Sequence, residues 1–185
     1  FLHGAGERGD DLEKVKVHGV PHEVAAGRDL PFITVSPQCP KNTWWPDHER
    51  MLMAILDEVC AKYAVDEDRI YLTGLSMGGF GSWQLGCSHP ERFAAVAPIC
   101  GGGMFGHGFP ARVVDLVGVP VWAFHGARDN VVPITATVEL VDRLKAAGGN
   151  VRLTVFPDAE HNSWARVYAG EALYEWFLSN SRSKK

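Results

Sequence analysis

The stretch Arg69-Ile70-Tyr71-Leu72-Thr73-Gly74-Leu75-Ser76-Met77-Gly78-Gly79 decides the fold. From Arg69 to Thr73 the residues are β-branched, aromatic or apolar, which predicts a buried strand, and the run breaks at Gly74. From about Gly78 to Cys87 the residues predict a helix, closed by Pro90. Gly74-Leu75-Ser76-Met77-Gly78 therefore places a serine in G-x-S-x-G between a strand and a helix. A hydroxyl attacks well only when it stands exposed on a sharp turn, and small residues two before and two after it let strand and helix close around that turn. Ser76 is the candidate nucleophile.

A serine at its ordinary pKa is a weak nucleophile, so a base must take its proton and a carboxylate must hold that base in one tautomer. Downstream, Asp129 follows the apolar run Pro120–Phe124 in His125-Gly126-Ala127-Arg128-Asp129. His161 follows the run Val151–Phe156 in Pro157-Asp158-Ala159-Glu160-His161. The order serine, acid, histidine leaves room for a strand and a helix at each interval. Asp158 and Glu160 are rival acids, but they lie too near His161 in sequence to reach its far nitrogen easily. The oxyanion of a tetrahedral intermediate needs two donors, for which the amides of Met77 and Ala5 are candidates, Ala5 lying in the glycine turn His3-Gly4-Ala5-Gly6.

Outward from this centre the same alternation continues. Phe32–Ser36 predicts a short strand ending at Pro37, and Asp47–Tyr63 an amphipathic helix with Met51, Leu52, Ile55, Leu56 and Val59 at helical spacing. Phe93–Ile99, Pro120–Phe124 and Val151–Phe156 predict strands, with helices over Ile134–Ala147 and Ser163–Leu178. Alternating strands and helices argue for a mostly parallel sheet covered by helices on both faces, with functional residues in the loops after the strands' carboxyl ends. Gly101 to Gly108 is the segment with most backbone freedom. No repeat, linker or low-complexity stretch divides the chain, so 1–185 is expected to form one domain.

The composition agrees. With 185 residues, 46% of them hydrophobic and 22% charged, and a formal net charge of −4, the chain has globular composition and no polyanion-binding character, so no nucleic-acid partner is expected. Arg182, Lys184 and Lys185 form a short basic tail, expected to be solvated. No apolar run approaches the roughly 18 residues that span a bilayer, and no membrane partner is expected. The four cysteines, Cys39, Cys60, Cys87 and Cys100, lack C-x-x-C spacing and are expected to be buried thiols. The chain opens on Phe1-Leu2-His3-Gly4 as if inside a strand already under way, so front strands of the sheet are expected to be missing.

Leu2-His3-Gly4-Ala5-Gly6-Glu7-Arg8-Gly9, Trp44-Trp45-Pro46, Asp68 through Gly79, and His161-Asn162-Ser163-Trp164 together resemble the phospholipase/carboxylesterase branch of the α/β-hydrolases. They are similar above all to bacterial esterases often labelled predicted peptidases, and also to polyhydroxybutyrate depolymerase-like and dienelactone hydrolase-like proteins. The resemblance covers nearly the whole chain. It implies the α/β-hydrolase fold, Ser76, Asp129 and His161 as a triad, the amides of Ala5 and Met77 as the oxyanion hole, and no cofactor. Members of this family carry strands ahead of the His-Gly turn, which this chain lacks, and this puts the sheet edge in question. Dienelactone hydrolases proper place cysteine at the elbow, so Ser76 speaks against that activity.

The expected function is hydrolysis of a short-chain or otherwise compact soluble ester through an acyl-enzyme on Ser76, since no long lid insertion interrupts the strands. Trp44, Trp45 and Trp164 are candidate walls of the substrate pocket. A serine peptidase of the same fold is the nearest alternative. A non-catalytic binding module is the next, although it would have no need of every catalytic element. Gly4-Ala5-Gly6-Glu7-Arg8-Gly9 matches a dinucleotide fingerprint, but the charged segment from Glu7 to Glu13 opens no apolar helix. Neither His22-Glu23 nor His48-Glu49 is followed by a second histidine at helical spacing, so no metal site is expected. Oligomeric state and compartment have no signature in the sequence.

Overall fold

A computed structural model describes residues 1–104 and 106–184. Lys185 of the basic tail and Phe105 of the glycine-rich stretch lie outside the described residues. Helices α1 (Gly19–Ala25) and α2 (Glu49–Lys62) precede strand β1 (Tyr71–Leu75), and α3 (Met77–Ser88) leads to β2 (Ala95–Ile99). A 3-10 segment, Ala111–Leu116, leads to β3 (Val121–Gly126), and α4 (Thr135–Ala146) to β4 (Val151–Phe156), before α5 (Trp164–Ala169) and α6 (Ala172–Ser179). The four strands form one parallel sheet in the order β1-β2-β3-β4.

The period of two along each strand divides the interior. In β2, Val96 faces a cluster with Trp83 and Leu85 of α3 and Leu140, Val141 and Leu144 of α4. Its neighbours Ala95, Ala97 and Ile99 face the opposite cluster, with Val167 and Tyr168 of α5 and Leu173 and Phe177 of α6. In β3, Val121 and Ala123 take the first side, Trp122 and Phe124 the second. Both faces of the sheet are thus covered, as an α/β-hydrolase fold requires, and the strands read as continuous apolar runs for that reason. Helix α3 lies against β1 and β2 and is buried over most of its length, which explains why it is apolar all round rather than amphipathic.

Three elements differ from the sequence expectation. Phe32–Ser36 is irregular and joins no ladder; the Phe1 amino group donates to the Val35 carbonyl at 2.8 Å and the Phe32 ring packs edge-on to Tyr71 of β1. The helix expected over Ser163–Leu178 is two, parted where Gly170 takes an extended conformation (φ −81°, ψ 165°). Leu12–Val17 and α1 form short helices in a stretch for which no element was expected.

The outer edge of β1 carries one isolated bridge, Leu2 to Gly74, among the described residues. Beside it lies an apolar cavity of about 400 Å³ lined by Phe32, Val35, Leu56, Cys60, Tyr71 and Phe177. All four cysteines are free thiols; Cys39, Cys87 and Cys100 are buried and Cys60 is half-buried. No described helix is long and apolar enough to cross a membrane.

Candidate active site

The strands end in register, Leu75 beside Ile99 and Gly126 beside Phe156, so the segments that follow them gather at one end of the sheet. Ser76 is the first residue past β1 and holds φ +52° and ψ −116°, a backbone state that costs a side-chain-bearing residue about 1–3 kcal/mol. Its amide donates to the Ile99 carbonyl at 2.9 Å, and its carbonyl accepts the Phe80 amide at 3.0 Å, which hold the turn from both sides. The glycines are required by contact. A Cβ on Gly78 would overlap the Leu2 carbonyl, and one on Gly74 would stand 2.7 Å from that oxygen and against the Gly78 carbonyl. Strand, helix and the Leu2 segment close this tightly only with hydrogen at both positions.

Ser76, His161 and Asp129 come together. The Ser76 Oγ lies 2.9 Å from His161 Nε2, and His161 Nδ1 lies 2.7 Å from Asp129 Oδ2. The Asp129 side chain is fully buried. Burial alone would raise its carboxyl, but the hydrogen bond from His161 and those from the Val132 and Val131 amides, both 2.9 Å to Oδ1, outweigh burial and hold it below its ordinary value. An ionised Asp129 fixes the proton of the neutral His161 ring on Nδ1, which leaves the Nε2 lone pair facing the serine hydroxyl. Asp158 is engaged elsewhere, in a two-pronged pair with Arg166 at 2.7 and 2.6 Å on the surface.

The Met77 amide opens α3 and has no carbonyl one turn earlier to accept it. Gly4 stands against the serine, since a Cβ there would lie 3.7 Å from the Ser76 Cβ, and the amide of Ala5 begins a short 3-10 turn beside it. His3, which the sequence reading had left without a role, orients this turn. Its ring is fully buried, and its Nε2 accepts the Cys39 amide at 2.9 Å. Burial keeps the ring neutral, so Nδ1 carries the proton and donates to the Gly4 carbonyl at 2.6 Å. Because carbonyl and N–H point opposite ways across a trans peptide, holding the Gly4 oxygen fixes where the Ala5 N–H is aimed.

The three tryptophans separate. Trp164 packs edge-on to the His161 ring, with centroids 5.1 Å apart, and Trp44 is 41% exposed. Trp45 is 1% exposed: its indole N–H donates to the His3 carbonyl and its ring fills the space that the absent side chain of Gly81 leaves. The expectation that Trp45 walls the pocket is corrected, because it braces the His3 turn from below.

Ligand atoms of Cys100, Asp129 and His161 lie within 4.8 Å of one another. They fit a metal poorly. His161 and Asp129 already occupy each other, and burial pushes the Cys100 thiol up to about 12, far from the thiolate a metal needs.

The chain is similar to several known esterases. Over 115 residues the chain is 31% identical to "Probable feruloyl esterase C" of Aspergillus niger, covering 62% of this chain and 41% of that protein. Over 92 residues it is 32% identical to the "Bifunctional acetylxylan esterase/xylanase XynS20E" of Neocallimastix patriciarum, covering 50% of this chain and 12% of that one. A crystal structure of a thermostable esterase superposes with a TM-score of 0.80 at 34% identity, over 98% of this chain and 54% of the other. The chain thus spans about half or less of the length of these relatives. The phospholipase/carboxylesterase family model matches residues 33–170, from ahead of α2 through α5 and so across Ser76, Asp129 and His161, and the chain belongs to that family of α/β-fold hydrolases.

Proposed function

We propose that this chain is a serine carboxylesterase that cleaves compact soluble esters through an acyl-enzyme on Ser76. The observation that carries the reading is the continuous relay from Ser76 Oγ to His161 to Asp129, at 2.9 and 2.7 Å, with the serine presented on a left-handed turn. In the first half-reaction Ser76 Oγ bonds to the ester carbonyl carbon while its proton passes to His161 Nε2, and Asp129 stabilises the imidazolium. The carbonyl oxygen, now an anion, is held by the amides of Met77 and Ala5. The bond to the alkoxy oxygen then breaks, and His161 returns its proton to the departing alcohol. Water repeats the sequence on the acyl-enzyme and frees Ser76.

Trp164 beside His161 supplies flat apolar surface next to the base, which suits a compact acyl or aryl group. The test is hydrolysis of p-nitrophenyl esters from acetate to decanoate, with methyl ferulate alongside because of the relatives' names. Turnover that falls as the acyl chain lengthens and drops by about 10⁴-fold or more in Ser76→Ala is the expected result. Equal turnover by Ser76→Ala overturns the reading.

A further inference from the structure

A second buried histidine lies against the acid. His125, in the last turn of β3, has a fully buried ring with both nitrogens engaged. Its Nε2 lies 2.9 Å from the Val132 carbonyl and 3.2 Å from Asp129 Oδ2, the same carboxylate oxygen that His161 reaches. Both neighbours are acceptors only, so a lone pair on Nε2 would face two oxygens; the proton must sit there. Its Nδ1 lies 2.7 Å from the Thr137 Oγ1, and with the ring proton on Nε2 the single hydroxyl proton of Thr137 is contested between Nδ1 and the Gly101 carbonyl, 2.5 Å from that oxygen. Burial favours the neutral ring, which agrees with a single Nε2–H tautomer.

The consequence concerns Asp129. Oδ1 accepts the Val131 and Val132 amides, and Oδ2 receives His161 Nδ1–H with His125 Nε2–H as a second, longer contact. A carboxylate has about four lone-pair directions; three are taken by these hydrogen bonds and the His125 Nε2–H, bonded to the Val132 carbonyl, lies 3.2 Å from Oδ2. Val132 is gripped twice, by its amide on Asp129 and by its carbonyl on His125. We propose that His125 is a positioning residue for the triad acid, whose Nε2–H pins the loop from Asp129 to Val132 and draws charge from the oxygen that supports His161. The inference rests on the reading of Asp129 as the acid of a Ser76 esterase. The other titratable groups facing this pair are His161, from the loop after β4, and Cys100, at the end of β2, whose thiol stays protonated; α4 turns only the Thr137 hydroxyl toward it.

Two measurements test it. In the wild-type protein, ¹⁵N NMR of the histidine side chains should show His125 protonated on Nε2 and not on Nδ1 near neutral pH; the Nδ1–H tautomer overturns the proposal whatever the enzyme hydrolyses. In kinetics, His125→Leu should lower kcat about tenfold with little change in KM, since the acid is less firmly aimed. It should also move the acid limb of kcat/KM up by about half a pH unit, because a carboxylate with one fewer N–H supports the His161 cation more strongly. His125→Gln, whose amide N–H can replace Nε2–H, should restore both. His125→Asn, polar but too short to reach Val132, replaces the leucine variant if that one does not fold. An acid limb that stays at the wild-type pH in the leucine or asparagine variant overturns the proposal, since a merely structural residue would lower the yield of folded enzyme without moving the limb. Failure of the esterase reading is distinct: the wild type itself then shows no Ser76-dependent turnover.

Discussion

Two His-Gly pairs, His3-Gly4 and His125-Gly126, stand at the same end of the sheet, each with its ring fully buried, and they use that ring in opposite senses. At His3 the proton is on Nδ1 and Nε2 accepts from a backbone amide; at His125 the proton is on Nε2 and Nδ1 turns to a hydroxyl. The first ring holds the Gly4 carbonyl, and with it the peptide that carries the Ala5 N–H. The second holds a carboxylate and the loop that carries it. In the proposed mechanism one pair serves the side of the site that would donate to the oxyanion, the other the side that accepts from His161. In both, the glycine permits a close approach: a Cβ on Gly126 would overlap the Glu160 carbonyl just before His161, and one on Gly4 would crowd the side chain of Leu75 beside Ser76. The same dipeptide is reused because a strand end that must support a loop needs a flat buried ring with two hydrogen-bonding nitrogens, followed by a residue with no side chain.

The comparison can be broken most sharply at the groups the rings serve. Asp129→Asn should lower kcat about 10⁴-fold, since the amide favours the wrong tautomer of His161. Ala5→Pro, which removes one amide donor, should lower it about 10²- to 10³-fold. Burst kinetics with p-nitrophenyl acetate measure both, and an Ala5 variant as impaired as the Asp129 variant would erase the distinction between the two sides. A smaller effect sharpens it. His3→Leu should reduce kcat about tenfold through a misaimed Ala5 N–H, yet leave the acid limb of kcat/KM unmoved, because the oxyanion hole does not titrate with His161. The pH-rate profiles of the two histidine variants, run side by side, decide this.

The smallest effect is common to both rings. Burial lowers the pKa of His3 and of His125, so the unfolded chain binds protons at these sites that the folded chain does not. Their contribution to stability is complete above the unfolded value of about 6.5 and is lost as pH falls from there toward the folded values. Thermal melts should show Tm dropping by a few degrees as pH is lowered below about 6.5, and His3→Gln or His125→Gln should each flatten that slope.

Much of this site was legible in the sequence because its elements obey local rules. Gly74 and Gly78 flank a serine that must sit on a strand-to-helix turn, and Asp129 and His161 each follow an apolar run that became β3 or β4. What escaped depends on distant partners. The tautomer of His3 is set by Cys39, 36 residues away, and the engagement of His125 by Thr137 on another element. The i, i+4 spacing of His125 and Asp129, just past a strand, was the signal available for the second. Trp45 was misplaced because an aromatic in a loop looks the same whether it walls a pocket or, as here, is buried against the His3 turn and Gly81. Phe32–Ser36 has the composition of a strand, but composition alone does not supply a neighbour to pair with. The expected continuous carboxyl-terminal helix failed at Gly170, whose apolar surroundings concealed the break.

The free thiols give the molecule a built-in address for chemistry. Burial pushes Cys87 and Cys100 up to about 12 and raises Cys39, so at neutral pH these three stay protonated and shielded from an attacking reagent. Cys60, half-buried on α2, lines the apolar cavity beside β1. A maleimide dye is therefore expected to mark one position, on α2. Its fluorescence reports whatever enters or leaves that cavity while Ser76, Asp129 and His161 stay unlabelled.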